Sequence, residues 1–120
     1  MPVKSSPSDR HSEEAYLLDM LESAQHIMRY MEGVAIEEFF ADSEKRDAVT
    51  LRLSMIGEAA RHVTKETEAA LASIPFKDIR AMRNRITRDY GRVDCRILWQ
   101  VTQEDVAPLV AALEARMRGA

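Results

Sequence analysis

Residues 81–110 read AMRNRITRDYGRVDCRILWQVTQEDVAPLV. Ile79, Met82 and Ile86 recur at spacings of three and four, the apolar stripe of one helix. Gly91 offers that helix a C-terminal stop. Asp94 can cap a further helix carrying Ile97, Leu98 and Val101, and Asp105 another in which Val106, Leu109, Val110, Leu113 and Met117 face inward. Pro108 falls in that helix's tolerant first turn. The stretch therefore reads as helix, break, helix, helix. It also crowds Arg83, Arg85 and Arg88 into six positions. Like charges on a helix surface cost a few tenths of a kcal/mol per pair, so the cluster needs compensating carboxylates or an anionic partner.

Upstream the rhythm continues. Ser12 precedes Glu13 and Glu14, an N-cap with acid in the first turn. Leu17, Leu21, Ala24, Met28 and Met31 then form a bundle-type seam that ends at Gly33. The segment AIEEFFAD (35–42) is a short amphipathic piece expected to lie across one end of the bundle. Ser43 can cap a second long helix, in which Val49, Leu53, Ile56, Ala60 and Val63 repeat. Residues 64–73 are polar and alanine-rich, at most a short helix or ordered loop. Pro75 stands where a helix first turn accepts it. The first eleven residues, with two prolines and three serines, read as a flexible tail. The expected fold is all-α: an antiparallel bundle of four to five main helices over residues 12–120.

Composition agrees with one small domain, since 120 residues can bury a core without disulfides or a metal. The net charge of −3 argues against non-specific coating of nucleic acid or anionic membrane, though a local basic patch remains compatible with it. A single cysteine, Cys95, excludes an internal disulfide framework and fits a reducing cytoplasm. No apolar run reaches membrane-spanning length. His11, His26 and His62 have no spacing for a shared metal, and neither a phosphate-binding glycine loop nor a zinc signature is present. Trp99 and Cys95 are explained by packing.

The arginine segment resists so plain a reading. On a continuous helix Arg83 and Tyr90 share a face, and Arg83 lies at the edge of the buried stripe. Arginine in that position pairs with carboxylates within the fold, with Glu58, Asp78 and Asp89 as candidates, or with phosphate from outside. Both remain open on geometry alone. Arg83 and Arg88 are about 140° apart around a helix with 3.6 residues per turn. One phosphate reaches both only if the helix loosens near Thr87 or a second copy contributes.

The same residues resemble the signature of HepT toxins, the HEPN-domain minimal ribonucleases of prokaryotic toxin–antitoxin pairs. Their motif is Arg, four residues, His, one residue, Tyr, followed by Val-Asp and a Trp-bearing helix. Arg83, Asn84, Arg85, Tyr90, Val93, Asp94 and Trp99 match it, and MIGEAARHV (55–63) is similar to the family's second long helix. The resemblance implies a HEPN-type bundle with metal-independent endoribonuclease activity and no cofactor. It implies Arg83 as the cation at the reacting phosphate, Asn84 and Arg85 in RNA contact, and a homodimer with two motifs in a common cleft. It also implies an MntA-like minimal nucleotidyltransferase antitoxin that adds AMP to the motif tyrosine, here Tyr90.

One position departs from the family. Arg88 stands where the histidine belongs. Attack of a 2′-hydroxyl on a phosphodiester needs a group that exchanges a proton near neutral pH, and a guanidinium stays protonated. This chain is therefore expected to cut RNA poorly while retaining affinity for phosphate. A disarmed copy of an active toxin and a degenerate, non-catalytic HEPN subunit that binds RNA or scaffolds a nucleotidyltransferase are the two readings of that substitution.

Overall fold

The computed structural model describes residues 6–89 and 92–119, with side chains described from Glu13 onward. Seven helices follow one another with no strand among the described residues: α1 (Ser6–Tyr30), α2 (Ile36–Ala41), α3 (Ser43–Ala60), α4 (Lys65–Ala70), α5 (Phe76–Arg88), α6 (Cys95–Glu104) and α7 (Val106–Gly119). Five of them have ten residues or more, and α2 and α4 have six each. The all-helical bundle expected from the periodicity is the observed architecture.

At the centre lies α3, packed against α1 on one side and α5 on the other. The α1–α3 pair is antiparallel. At one end the Tyr16 and His62 rings stack with centroids 4.2 Å apart. At the other, Lys45 Nζ donates to the Tyr30 carbonyl at 2.9 Å, and Arg52 Nε donates to the Tyr30 hydroxyl at 3.3 Å. Helix α7 packs on α1, and α6 bridges α7 and α3. The short α2 sits against α3 and α6 by inserting Phe39, which is fully buried and meets the Trp99 ring at 5.8 Å between centroids. The packing role expected of Trp99 is the one it has.

Several boundaries differ from the sequence expectation. Helix α1 runs back through Ser12 to Ser6, so Ser12 is not its N-cap and the stretch expected as tail overlaps the helix from residue 6. Asp42, not Ser43, caps α3: its side chain accepts the Lys45 N–H at 3.0 Å. A carboxylate is the stronger acceptor for an exposed N–H at a helix start, where the dipole also favours it. Asp94 caps α6 as expected, accepting the Arg96 N–H at 2.8 Å. Asp105 serves two helices: it is the C-cap of α6, and it directly precedes α7, where its backbone carbonyl accepts from Leu109.

The α1 seam shifts too. Leu17, Leu21, Ala24 and Met31 are buried, but Met28 is 44% exposed, and Met20 and Ile27 take inward positions. A helix flanked by both α3 and α7 buries a stripe wider than a strict four–three seam. Val49, Leu53, Ile56, Ala60 and Val63 are all buried, as are Val106, Leu109, Val110 and Leu113.

Candidate functional site

Helix α5 carries the arginine segment, and its sequence explains its placement. Pro75 precedes the first helical residue, and Phe76 and Ile86 are buried while Ile79 and Met82 pack against the core from its edge. Asp78 in the first turn and Arg85 and Arg88 in the last turn complement the helix dipole. Arg85 and Arg88 are therefore at the favourable end of the helix, and Arg83 lies one turn before it. The helix runs unbroken through Thr87 to Arg88, and the Asp89 N–H closes on the Arg85 carbonyl at 2.9 Å.

Arg83 is the most constrained of them. Its side chain is 26% exposed, and its Nη2 lies 2.9 Å from Glu58 Oε1 on α3. Its stem presses on the α3 backbone at Gly57, where an ideal Cβ would stand 2.1 Å from Arg83 Cβ and 2.7 Å from Cγ. No side chain larger than hydrogen fits there without moving α5. Arg83 Nε is buried and has no hydrogen-bond acceptor among the described residues. Nη1 makes one long contact, 3.4 Å to Asn84 Oδ1. Asn84, Arg85 and Arg88 are exposed. Arg85 Nε is 4.0 Å from Asp89 Oδ2, the outer limit of an ion pair and worth little in water. Arg88 forms no ion pair among the described residues. Tyr90 and Gly91 lie outside the described residues, and with them the expected motif tyrosine and helix stop.

Of the three carboxylates considered as internal partners, Glu58 pairs with Arg83, Asp89 touches Arg85, and Asp78 pairs with neither. Glu58 is shared: Arg61 Nη1 lies 3.2 Å from Oε1, and His62 Nε2 lies 3.6 Å from Oε2. Desolvation lifts its carboxyl pKa, but Arg61, Arg83 and His62 outweigh that and hold it below the ordinary value of 4.5. Asp94, next to the C-terminal end of α5, is likewise held down, chiefly by its hydrogen bonds to the Arg96 side chain and backbone, with a contribution from Arg85. Arg83 and Arg88 project from α5 about 140° apart around a regular helix, so the straight helix leaves them on different faces of one chain.

The other candidates are quiet. No group of three or more His, Cys, Asp or Glu among the described residues could hold a metal. His26 takes a hydrogen bond from Arg29, and desolvation with the Arg52 and Arg29 charges disfavours its protonation. No helix among the described residues is long and apolar enough to cross a membrane.

What the arrangement resembles is decided by comparison. Residues 20–116 match the family described as Ribonuclease HepT-like, a span that includes all of α3, α5 and α6. The chain belongs to the HepT-like ribonuclease family. Similar proteins include "Putative RNase MJ1380" of Methanocaldococcus jannaschii, 30% identical over 101 residues covering 84% of this chain and 93% of that one. "Probable ribonuclease HepT" of Thermococcus cleftensis is 29% identical over 105 residues, 88% and 96% of the two chains. "Putative RNase TTE0752" of Caldanaerobacter subterraneus is 28% identical over 94 residues, 78% and 84% of the two. No solved structure matches the chain. In this HepT-like chain, sequence reasoning nominated Glu58 only as one of three carboxylates and missed Gly57. The signal for both was the MIGEAARHV segment, which lies 25 residues or so before the motif.

Proposed function

We propose that this chain is the ribonuclease toxin of a toxin–antitoxin pair, weakened by Arg88 at the acid–base position. The single observation that carries the reading is the seated Arg83. In a chain of the HepT-like ribonuclease family, a partly exposed guanidinium stands next to exposed Asn84 and Arg85, on a helix whose last turn is cationic. In the reaction the RNA 2′-oxygen forms a bond to the neighbouring phosphorus and the bond from phosphorus to the 5′-oxygen breaks. The proton leaves the 2′-hydroxyl for a base, and an acid returns one to the departing oxygen. Arg83 stabilises the charge that grows on the phosphoryl oxygens. Asn84 and Arg85 hold the flanking strand.

The divergence of positions 83 and 88 on one straight helix favours a homodimer, in which two copies of α5 line a common cleft and gather six arginines despite the acidic total. Tyr90, one residue past the α5 C-cap, is the acceptor of AMP from an MntA-like nucleotidyltransferase antitoxin, which would place anionic bulk against those arginines. The proteins act in the cytoplasm.

The test is Arg88→His. Acid–base assistance is worth ~10²–10⁴-fold, so RNA cleavage and growth inhibition by the R88H chain should exceed those of the parent by that order. Cleavage by R88H no faster than by the parent would remove the nuclease reading. Incubation with such a nucleotidyltransferase and ATP, followed by intact mass, should show AMP added to the parent and not to Y90F.

A further inference from the structure

We infer that Glu58, set on α3 beside the bare backbone of Gly57, is the positioning residue that aims Arg83 at the phosphate. The inference rests on the ribonuclease reading above and adds a residue to its machinery.

Three features define the seat. Gly57 presents only hydrogen to Arg83, so the Cβ and Cγ of the arginine lie against α3 closer than any side chain would permit. Glu58 Oε1 lies 2.9 Å from Nη2 and forms an ion pair with it. Arg83 Nε is enclosed and has no acceptor among the described residues. The outward-facing donors are therefore on the Nη groups, and the rotamers of a long side chain collapse to one direction.

The Glu58 contact engages one Nη group of Arg83 and leaves Nε out. The forked arrangement common in arginine–carboxylate pairs would engage Nε and Nη2 together. Here Oε2 turns instead toward His62 at 3.6 Å and Arg61 at 3.5 Å, and Nε remains enclosed at a desolvation cost. Arg116 has an enclosed Nε of the same kind beside its ion pair with Glu14, so what sets Arg83 apart is its seat against Gly57 on the helix whose last turn is cationic. The ion pair with Glu58, together with the contact of the stem on Gly57, restrains the guanidinium and leaves Nη1, whose one hydrogen bond is a long 3.4 Å to Asn84, available to an anion. Glu58 itself touches no reacting atom and acts through Arg83.

The experiment has a kinetic arm and a spectroscopic arm. In the R88H chain, E58A should lower kcat for RNA cleavage by about 10²-fold, the cost of a misplaced catalytic group. KM should not rise, because a negative charge beside the phosphate is removed. E58D, which keeps a carboxylate at the same place on α3, should recover part of the loss, and the uncharged E58Q should not. In an R83A background the E58A change should cost nothing further, whereas a role in folding alone would subtract equally in both backgrounds. The second arm uses the chain as it is. The Arg83 Nε–H signal in the ¹⁵N-labelled protein, assigned by its loss in R83K, should exchange slowly with water, and E58A should make it exchange like that of an exposed arginine.

If R88H cleaves RNA and E58A cleaves equally well, the positioning role is overturned while the nuclease reading stands. If R88H does not cleave, the nuclease reading fails and the Nε–H signal decides the seat by itself. A signal unchanged by E58A overturns it.

Discussion

Gly57→Ala puts the close approach of α3 and α5 to a quantitative test. Gly57 is buried on α3, and an added Cβ would stand 2.1 Å from Arg83 Cβ and 3.2 Å from the Ile79 carbonyl oxygen. Ordinary carbon–carbon contact is ~3.5–4.0 Å, so α5 would have to retreat by about 1.5 Å. Neither neighbour can swing aside, because one is attached directly to the backbone and the other belongs to it. Overpacking of this kind costs ~1–3 kcal/mol, and the rigidity of both neighbours places this site at the upper end. Alanine is favoured over glycine within a helix by ~1 kcal/mol, which opposes the clash. The net loss is therefore about 2 kcal/mol. For a chain of this size, at roughly 4 °C per kcal/mol, Tm should fall by about 8 °C. The urea midpoint should fall without a change in slope. In the R88H chain, cleavage should fall together with it, because the displaced helix carries Arg83. A G57A protein with Tm equal to or above the parent's would refute the close approach, since propensity alone predicts stabilisation.

Two further outcomes follow from the packing and the charges. Phe39→Ala removes the fully buried anchor of α2 and its contact with Trp99, and should cost ~3–5 kcal/mol in urea unfolding together with a shift in Trp99 fluorescence; a loss under ~1 kcal/mol would mean that α2 is not held by this ring. Glu13 concerns acid stability. Partial burial raises its carboxyl, but hydrogen bonds from the Thr64 N–H at 2.6 Å and the Thr67 hydroxyl at 2.8 Å prevail, and its pKa in the fold lies below 4.5. A carboxyl depressed by folding contributes stability that is complete above its unfolded pKa and is lost as pH falls through the folded one. Unfolding measured from pH 6 to pH 3 should therefore show a shallower acid decline for Glu13→Gln than for the parent, and identical slopes would sink the assignment.

Much of the fold was legible before any coordinates, because apolar residues repeating at three and four determine helices locally. The inward faces of α3 and α7, the cap at Asp94 and the short piece around Phe39 all follow from spacing and chemistry within a few residues. The cluster of Arg83, Arg85 and Arg88 was legible for the same reason, since it needs only adjacency along the chain. What spacing could not supply was the identity of neighbours. Met28 satisfies the α1 seam in sequence yet faces solvent, because the positions of α3 and α7 decide which stripe of α1 is covered. Likewise, three carboxylates were chemically able to meet Arg83, and only the antiparallel approach of α5 to α3 selects Glu58. That approach depends on the absence of a side chain at Gly57. A contact between residues some 25 positions apart is set by how two helices cross, which is a property of the packed molecule and not of either segment.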